Sequence, residues 1–200
     1  MEAAVLMPVK RFSAAKGRLS GLLDGDRRAE LARWLATRVA AAADLPLFVA
    51  CDDDEVVGWA DGAGAEVLWS PGLGLNGAVD AGRATMTDKG FEQVVIAHSD
   101  LPLASSLASL ATPGTICLVP DRRRDGTNVL SLPHDAPVAA SYGGGSFSRH
   151  LDQAMRSGCR VEVRADARLA IDVDNPDDLR HPAVEPLLPL WLRTILASPH

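Results

Sequence analysis

Residues 94–103 read Val-Val-Ile-Ala-His-Ser-Asp-Leu-Pro-Leu, and the predicted fold is built around them. Its first four residues are apolar, which predicts a strand that is buried on both faces, as at the centre of a parallel sheet. The Leu-Pro step then turns the chain away from the strand. We therefore expect Asp100 at the carboxyl end of a central strand, where open α/β sheets place their ligands. Alternatively, Asp100 could simply cap a short helix over residues 103–110.

Outward from this strand, the first half of the chain alternates between strands and helices. We expect strands at residues 3–9, 47–51, 65–69, 94–97 and 115–119. We expect helices at residues 22–43, 55–61, 76–87 and 103–110. Such alternation predicts a parallel sheet with right-handed crossovers.

The second half of the chain departs from this alternation. We expect strands at residues 128–132, 139–142, 160–163 and 169–173, and helices at residues 146–157, 174–179 and 184–196. There is no internal repeat and no low-complexity linker. Residues 1–200 are therefore predicted to form a single α/β domain with a mostly parallel central sheet flanked by helices.

The composition excludes several classes of protein. The chain has 200 residues, 47% of them hydrophobic, and a net charge of -6, which argues against nucleic-acid binding. No apolar run is long enough to cross a bilayer, and we expect no signal peptide. Cys51, Cys117 and Cys159 are too widely spaced for a disulfide framework or a zinc motif. A cytoplasmic protein without a membrane partner is expected.

Three acids indicate a metal site. On a strand, Asp172 and Asp174 would point to the same face, roughly 6.6 Å apart, and Asp100 ends another strand. Carboxylate oxygens suit Mg²⁺, which proteins commonly hold with one or two carboxylates together with substrate phosphates. The alternative is that Asp174 caps a helix that begins near Pro176.

A basic loop follows the first strand. It carries Lys10, Lys16 and Arg18, at a position where α/β sheets often contact phosphate. The loop contains no acid, so we expect its cations to be free to face a triphosphate. It is not a Walker loop, and the alternative is a solvated surface turn.

A glycine-rich loop, Tyr-Gly-Gly-Gly-Ser-Phe at residues 142–147, precedes a predicted helix. The free N–H groups of a helix N-terminus form an anion site, although a flexible turn is the alternative. His150 lies one helical turn beyond Ser146 and is interpreted as structural rather than catalytic. Asn76 could cap a helix or touch a base or ribose. We expect His98 to pack within its strand or behind the metal site.

Together these motifs resemble the CofC/FbiD family, the 2-phospho-L-lactate or phosphoenolpyruvate guanylyltransferases of deazaflavin coenzyme (F-420) biosynthesis. The motifs are Pro-Val-Lys at 8–10, Ala-Lys-Gly-Arg-Leu at 15–19, Gly-Leu-Asn at 74–76, Ser-Asp-Leu-Pro-Leu at 99–103, Asp-Arg at 121–122, Asp-Gly-Thr-Asn at 125–128, the loop at 142–147 with His150, Ile-Asp-Val-Asp at 171–174 and Pro-Asp-Asp-Leu at 176–179. They cover nearly the whole chain in the right order.

The resemblance implies a nucleotidyltransferase fold similar to glycosyltransferase-A domains, and transfer of GMP from GTP to a small phosphorylated three-carbon acid with release of pyrophosphate. It implies Mg²⁺ ligands at Asp100, Asp172 and Asp174. It implies phospho-acid contacts at Thr127, Gly143 and Ser146. Lys10, Lys16, Arg18 and Asn76 would bind the nucleotide, with Lys16, Arg18 and Asp100 as the catalytic set.

Two departures from the family pattern affect the acceptor. The loop reads Gly-Gly-Gly-Ser where many relatives have Gly-Pro-Gly-Ser, which we expect to loosen it. The run of arginines at residues 122–124 is unusually basic. Phospholactate, phosphoenolpyruvate and 3-phosphoglycerate therefore all stay open as acceptors.

Two other functions are compatible with the same motifs. In a sugar-nucleotide glycosyltransferase of related fold the two acids at 172 and 174 would hold the donor diphosphate, although the basic loop favours a triphosphate. A non-catalytic nucleotide-binding module is the second alternative. The apolar last helix could pack on a second copy of the chain, giving a homo-oligomer, as readily as on its own core.

Overall fold

The computed structural model of the protein describes residues 2–198, and residues 1, 199 and 200 of the predicted domain lie outside this range. The strands are β1 (Ala3–Pro8), β2 (Leu47–Cys51), β3 (Glu66–Trp69), β4 (Gln93–Ala97), β5 (Thr115–Pro120), β6 (Thr127–Pro133) and β7 (Arg160–Val163). The α-helices are α1 (Gly25–Ala41), α2 (Asp54–Gly62), α3 (Gly74–Asp88), α4 (Ser146–Arg156), α5 (Pro176–Leu179) and α6 (Leu190–Ala197). Short 3-10 helices lie at Phe12–Ala14, Gly17–Leu19, Leu107–Leu110 and Glu185–Leu187.

The seven strands form one sheet in the order β3-β2-β1-β4-β6-β5-β7. β1 to β4 pair in parallel, as the alternation of strands and helices predicts. β6 is antiparallel to β5, because the loop at residues 121–126 that joins them is too short for a crossover connection. It is also antiparallel to β4. β7 is again parallel to β5. The predicted α/β fold with a mostly parallel sheet flanked by helices is confirmed.

β4 lies at the centre of the sheet and is buried along its whole length. β1 and β6 pair with its two edges, and α1 and α3 contribute side chains to the cores on its two faces. Leu6 of β1 pairs in parallel with Ile96 of β4. The carboxyl ends of β1 and β4 therefore open at the same edge of the sheet, which is where α/β proteins bind ligands.

Helix α1 forms a layer between the sheet and the C-terminal part of the chain. Its inner side packs into the core on the sheet through Ala32, Ala36 and Val39. Its outer side, with Leu31 and Leu35, packs into a separate core that the residues after β7 complete. The C-terminal segment is thereby held over the edge of the sheet near β1 and β4.

Two predicted helices are shorter than expected. The helix predicted at 22–43 starts only after Asp24, because this side chain accepts a hydrogen bond from the Arg27 N–H and caps the first turn. The helix predicted at 103–110 is reduced to the 3-10 turn Leu107–Leu110.

Two predicted strands are not formed. Residues 139–142 and 169–173 contain alternating or continuous apolar side chains but have no strand conformation. The second segment is instead held by single contacts, such as the bond from the Val173 N–H to the Asp100 carbonyl at 3.1 Å. An apolar pattern predicts that a segment is buried, but these two buried segments do not pair with a strand of the sheet.

The predicted helix at 184–196 is divided in two. A 3-10 turn at Glu185–Leu187 is followed by α6, which begins at Leu190. Pro189 disfavours a helical conformation of the residue before it, and Leu188 is accordingly extended. Within residues 2–198, the structure contains no helix that is both long and apolar enough to span a membrane.

Candidate active site

Asp100 lies just beyond β4, at the edge of the sheet where the carboxyl ends of β1 and β4 open. Its carbonyl accepts the bond from Val173, and this contact brings the acid segment, residues 171–174, against the end of β4. Its carboxylate oxygen Oδ1 is buried and has no hydrogen-bond partner within residues 2–198. One oxygen of this carboxylate is thus available to a ligand.

Lys16 places a buried ammonium group between the acids. Its side chain is 9% exposed, and its backbone adopts the left-handed conformation, with φ of 54°. The Lys16 Nζ donates to Asp100 Oδ2 at 2.7 Å and to the Val173 carbonyl at 2.6 Å. Asp174 Oδ1 lies 3.6 Å from the same nitrogen. Lys16 therefore joins the end of β4 to the acid segment.

The charges of this cluster shift one another's pKa values. Burial opposes ionisation of both Lys16 and Asp100, but their mutual attraction prevails, so the Lys16 pKa is raised and the Asp100 pKa is lowered. Asp172 behaves differently. Burial, followed by the charges of Asp100 and Asp174, raises the Asp172 pKa to about 6. The carboxylates thus carry more negative charge than Lys16 neutralises, and the cluster favours a further cation.

The other cations of the basic loop differ in their partners. Arg18 lies 3.0 Å from Asp174 Oδ2, and Arg11 lies 3.0 Å from Asp53 Oδ2. The expectation that the cations of this loop are free was therefore wrong for Lys16 and Arg18, because acids from distant parts of the chain reach them. Lys10 makes no hydrogen bond or ion pair through its ammonium group within residues 2–198, and it is exposed.

Two cavities meet at Asp100. The larger one, about 590 Å³, extends from Lys10 and His98 towards the start of α3 at Gly74 and Leu75. The second, about 540 Å³, is lined by Lys16, Arg18 and Asp174 as well as by Lys10 and Asp100. Both volumes suit small-molecule ligands. Two ligands, or two parts of one ligand, can therefore meet beside the Asp100 carboxylate.

His98 is a cavity residue that the sequence reasoning placed inside the strand or behind the site. Its ring lies 4.9 Å from that of Tyr142, and it lines the larger cavity. The signal that could have revealed it is its position two residues before Asp100, directly after the buried part of β4.

The residues present fit a magnesium ion that arrives with a phosphate ligand. Asp100, Asp172 and Asp174 offer carboxylate oxygens, and the unpartnered Asp100 Oδ1 is an available ligand atom. No group of three or more acidic, histidine or cysteine side chains within residues 2–198 is arranged to hold a metal ion by itself. Phosphate and water would therefore have to complete the coordination of the ion, as is common for Mg²⁺.

The predicted acceptor residues form a buried network of their own. Thr127 and Ser146 are both buried, and the Ser146 hydroxyl accepts a hydrogen bond from the Thr127 N–H at 3.0 Å. Gly143 has φ of 112°, a conformation that favours glycine, and its carbonyl accepts from the Ser146 N–H. None of the three lines either cavity. They connect β6 to the glycine-rich loop, and their contact with an acceptor stays a prediction.

His150 completes this network. Its Nε2 accepts a hydrogen bond from the Ser141 N–H at 2.9 Å, so its other nitrogen, Nδ1, carries the proton and donates to Thr127 Oγ1 at 2.9 Å. Burial and then the charge of Arg149 lower the His150 pKa to about 4. A neutral, fully bonded histidine agrees with the structural interpretation of this residue.

Asn76 and Arg149 hold the glycine-rich loop in place. Asn76 Oδ1 accepts from the Tyr142 N–H at 2.7 Å, and its amide group donates to the Tyr142 carbonyl at 3.4 Å. The Arg149 guanidinium donates to the carbonyls of Ser141 and Gly144 at 2.7 and 2.6 Å. Asn76 lines neither cavity, so a nucleotide contact by it stays a prediction. Sequence reasoning missed Arg149, whose position one helical turn after Gly145 was the available signal.

The acid segment has a further support that sequence reasoning did not identify. Asp178 is buried and accepts hydrogen bonds from the Asp174 and Asn175 N–H groups, each at 2.8 Å. Its other oxygen pairs with Arg122. The spacing of Asn175 and Asp178, which is typical of a capping box at a helix start, was the visible signal.

Comparison with known proteins identifies the family. The sequence profile described as "Guanylyl transferase CofC like" matches residues 3–183. A phosphoenolpyruvate guanylyltransferase of Rubrobacter xylanophilus is 35% identical over 189 residues, which cover 90% of this chain and 92% of that protein. A 2-phospho-L-lactate guanylyltransferase of Methanothermobacter thermautotrophicus is 31% identical over 189 residues, covering 90% and 83% of the two chains.

Solved structures support the same fold. A nucleotidyl transferase from Methanothermobacter thermautotrophicus superposes with a TM-score of 0.64 at 18% identity, over 97% of this chain and 99% of the other. A CMP:2-keto-3-deoxy-manno-octonic acid synthetase gives a TM-score of 0.56 at 14% identity, over 90% and 96% of the two chains. The profile and the relatives show that the chain belongs to the CofC-like family of guanylyl transferases, which makes it a nucleotidyltransferase.

Proposed function

We propose that the protein transfers GMP from GTP to a small phosphorylated three-carbon acid and releases pyrophosphate. The observation that carries this proposal is the meeting of two cavities at Asp100, with Lys10 on the wall of both. A nucleoside triphosphate needs room for its nucleoside and for its phosphates on either side of such a shared point, and family membership supplies the type of reaction.

In this proposal the nucleoside of GTP occupies the larger cavity, which lies between the end of β1 and the start of α3. Its phosphates would then extend past Lys10 towards Lys16 and Arg18 in the second cavity. Lys16 and Arg18 are held at this edge by Asp174, so their charges are positioned before substrate binds. Such preorganised charge lowers the barrier for transfer between two anions.

The reaction needs no general base from the protein. A phosphate oxygen of the acceptor forms the new bond to the α-phosphorus of GTP, and the bond from that phosphorus to the bridging oxygen breaks, so pyrophosphate leaves with the electron pair. A phosphate monoester is an adequate nucleophile at pH 7, since its second pKa is about 6. The task of the chain is positioning and charge neutralisation.

Mg²⁺ would be held by Asp100, Asp172 and Asp174, and it would supply charge neutralisation on the phosphates. The raised pKa of Asp172 supports this assignment, because a cation next to the three acids relieves their repulsion. Lys16 neutralises part of the same charge and keeps Asp100 and the acid segment together.

The acceptor is proposed to bind at Thr127, Gly143 and Ser146. Support comes from the fixed conformation of this loop, which Asn76 and Arg149 hold through backbone contacts. These restraints oppose the looseness expected from the Gly-Gly-Gly sequence. Phosphoenolpyruvate and 2-phospho-L-lactate are the acceptors to test first, because they appear in the names of the relatives.

The cellular setting is part of the same proposal. We propose a cytoplasmic enzyme of deazaflavin coenzyme (F-420) biosynthesis, without nucleic-acid or membrane partners. Its three cysteines are free thiols, which suits a reducing compartment. A homo-oligomer through the C-terminal helix stays a proposal as well, and the exposed Leu187 and Leu190 support it.

The test is a product assay with purified protein, Mg²⁺ and each acceptor in turn. We expect pyrophosphate release with GTP, and a product whose mass equals GMP joined to the phospho-acid. A glycosyltransferase would instead release a nucleoside diphosphate from a sugar nucleotide, and a non-catalytic module would bind GTP without turnover. Absence of pyrophosphate with all three acceptors, including 3-phosphoglycerate, would contradict the proposed reaction.

A further inference from the structure

Asp178 is a buried carboxylate that the proposed reaction does not use. The residue is 2% exposed, and its Oδ2 accepts the N–H groups of Asp174 and Asn175. These two bonds fix the backbone that carries the Asp174 carboxylate. A buried carboxylate needs a positive partner, since an unpaired one costs several kcal/mol.

Arg122 is that partner, and it holds the acid segment on both sides of Asp172. Its guanidinium pairs with Asp178 Oδ1, beyond the segment. Its backbone N–H donates to the Ala170 carbonyl at 2.9 Å, before the segment. One residue therefore fixes the start and the end of the stretch that presents Asp172 and Asp174.

Arg122 belongs to a rigid loop that also contacts the predicted acceptor site. Within this loop, the Asp121 carboxylate accepts three backbone N–H groups, those of Arg123, Asp125 and Gly126. Asp125 in turn accepts the Gly145 N–H through its side chain at 3.1 Å. The loop at 121–126 thus contacts the acid segment on one side and the glycine-rich loop on the other.

We propose that Arg122 and Asp178 form a positioning pair, which sets Asp172 and Asp174 at the right distance from the acceptor loops. This inference rests on the proposed function, because it takes Asp172 and Asp174 as magnesium ligands. The pair acts through the backbone of the acid segment and touches no substrate. Groups that orient metal ligands affect metal affinity in this way.

The test measures metal binding with GTP present and without an acceptor, because the proposed site binds its metal together with phosphate. Mn²⁺ is titrated into GTP alone and into GTP with the protein, and free Mn²⁺ is followed by its electron paramagnetic resonance signal. We expect Arg122→Gln to weaken Mn²⁺ binding by about 10–100-fold, the usual effect of losing a group that orients metal ligands. Arg122→Lys keeps the charge but loses the fork that suits a carboxylate, so it should fall between this variant and the wild type.

Arg123→Gln is the matched control. It removes the same charge from the same loop, but the Arg123 side chain makes no ion pair within residues 2–198. We expect unchanged Mn²⁺ affinity for this variant. Equal weakening by Arg122→Gln and Arg123→Gln would mean that only the loss of charge matters, and it would overturn the positioning pair.

A second comparison separates positioning from a general loss of structure. Combining Arg122→Gln with Asp178→Asn creates a neutral pair that can still form a hydrogen bond, so the double variant should bind Mn²⁺ better than Arg122→Gln alone. Excess metal should also restore the turnover rate of Arg122→Gln, whereas a misfolded protein would not recover. A double variant that binds no better than Arg122→Gln overturns the pair.

The outcomes also separate this inference from the proposed function. If the wild-type protein binds no Mn²⁺, alone or with GTP, the result would contradict both the metal site and the positioning pair. Wild-type protein that binds Mn²⁺, together with an Arg122→Gln variant of equal affinity, would overturn the positioning pair alone.

Discussion

The ammonium of Lys16 and the carboxylate of Asp100 lie 2.7 Å apart, although 84 residues separate them in the chain. Each is costly to bury alone, and each shifts the pKa of the other towards its charged form. The contact also fixes where the basic loop meets the central strand. Stability and site geometry therefore depend on the same pair of charges.

Loss of one member of this pair should destabilise the protein. We expect Lys16→Met to lower the free energy of unfolding by up to about 3–5 kcal/mol, because the Asp100 charge is left buried and unpaired. Adding Asp100→Asn should recover part of this loss. Urea unfolding of the two single variants and the double variant measures the coupling, and strictly additive losses would show that the contact contributes nothing.

The role of Asp172 can be separated from its contribution to stability. Asp172→Asn removes a carboxylate that is repelled by Asp100 and Asp174, so we expect it to fold at least as stably as the wild type while losing pyrophosphate release. Asp177→Asn is the control, because Asp177 is exposed in the same region and its side chain makes no hydrogen bond or ion pair within residues 2–198. Near-normal turnover of Asp172→Asn would show that Asp172 is not part of the active site.

His150 should make the protein sensitive to acid. Its folded-state pKa is about 4 and its ordinary value is 6.5, so between these pH values the unfolded chain binds a proton that the folded chain does not. Stability should be unaffected above pH 6.5 and fall progressively as the pH drops towards 4. The shift sets an upper limit of about 3 kcal/mol, at 1.36 kcal/mol per pKa unit.

A neutral replacement tests this assignment. The side chain of His150→Gln can accept from the Ser141 N–H and donate to Thr127, but it cannot be protonated. The difference in unfolding free energy between pH 7 and pH 4.5 should therefore be smaller in this variant than in the wild type. An identical pH dependence in both proteins would assign the acid sensitivity to other groups.

Sequence reasoning was successful where burial and secondary structure coincide. The strand before Asp100 is apolar because it lies between two covered faces, and the structure places it at the centre of the sheet. It was wrong at residues 169–173, where Ile171 and Val173 are buried against α1 without belonging to the sheet. A local pattern reports that a side chain is buried but does not report what covers it.

The parts of the candidate site that could not be predicted from the sequence depend on contacts between residues far apart in the chain. The basic loop contains no acid, but its Lys16 and Arg18 are paired with Asp100 and Asp174, which lie far along the chain. Such partners depend on the order of strands in the sheet. The pairing of Arg122 with Asp178 is hidden for the same reason, because the two residues are 56 positions apart in the chain.

A substitution of Asn76 shows whether this residue supports the glycine-rich loop or recognises the guanine base. If Asn76 holds the glycine-rich loop through its two bonds to Tyr142, each worth about 0.5–1.5 kcal/mol, Asn76→Ala should raise the KM for phosphoenolpyruvate several-fold. The preference for GTP over ATP should not change. Measurement of kcat/KM for both nucleotides decides the question, since a lost preference would show that Asn76 reads the base, as the sequence suggested.

Lys10 offers the sharpest test of the nucleotide path, because it is the cation on the wall shared by both cavities whose ammonium has no partner within residues 2–198. Lys10→Ala therefore removes no internal hydrogen bond or ion pair, and we expect the free energy of unfolding to stay unchanged. GTP binding should weaken by about 1.5–3 kcal/mol, the range for hydrogen bonds to charged groups. Lys89→Ala is the matched control, since Lys89 pairs with Glu66 and lines neither cavity. Calorimetric titration with GTP compares the two variants. If Lys10→Ala and Lys89→Ala bind GTP with equal affinity, the phosphates do not pass Lys10. This part of the basic loop would then be a solvated surface turn.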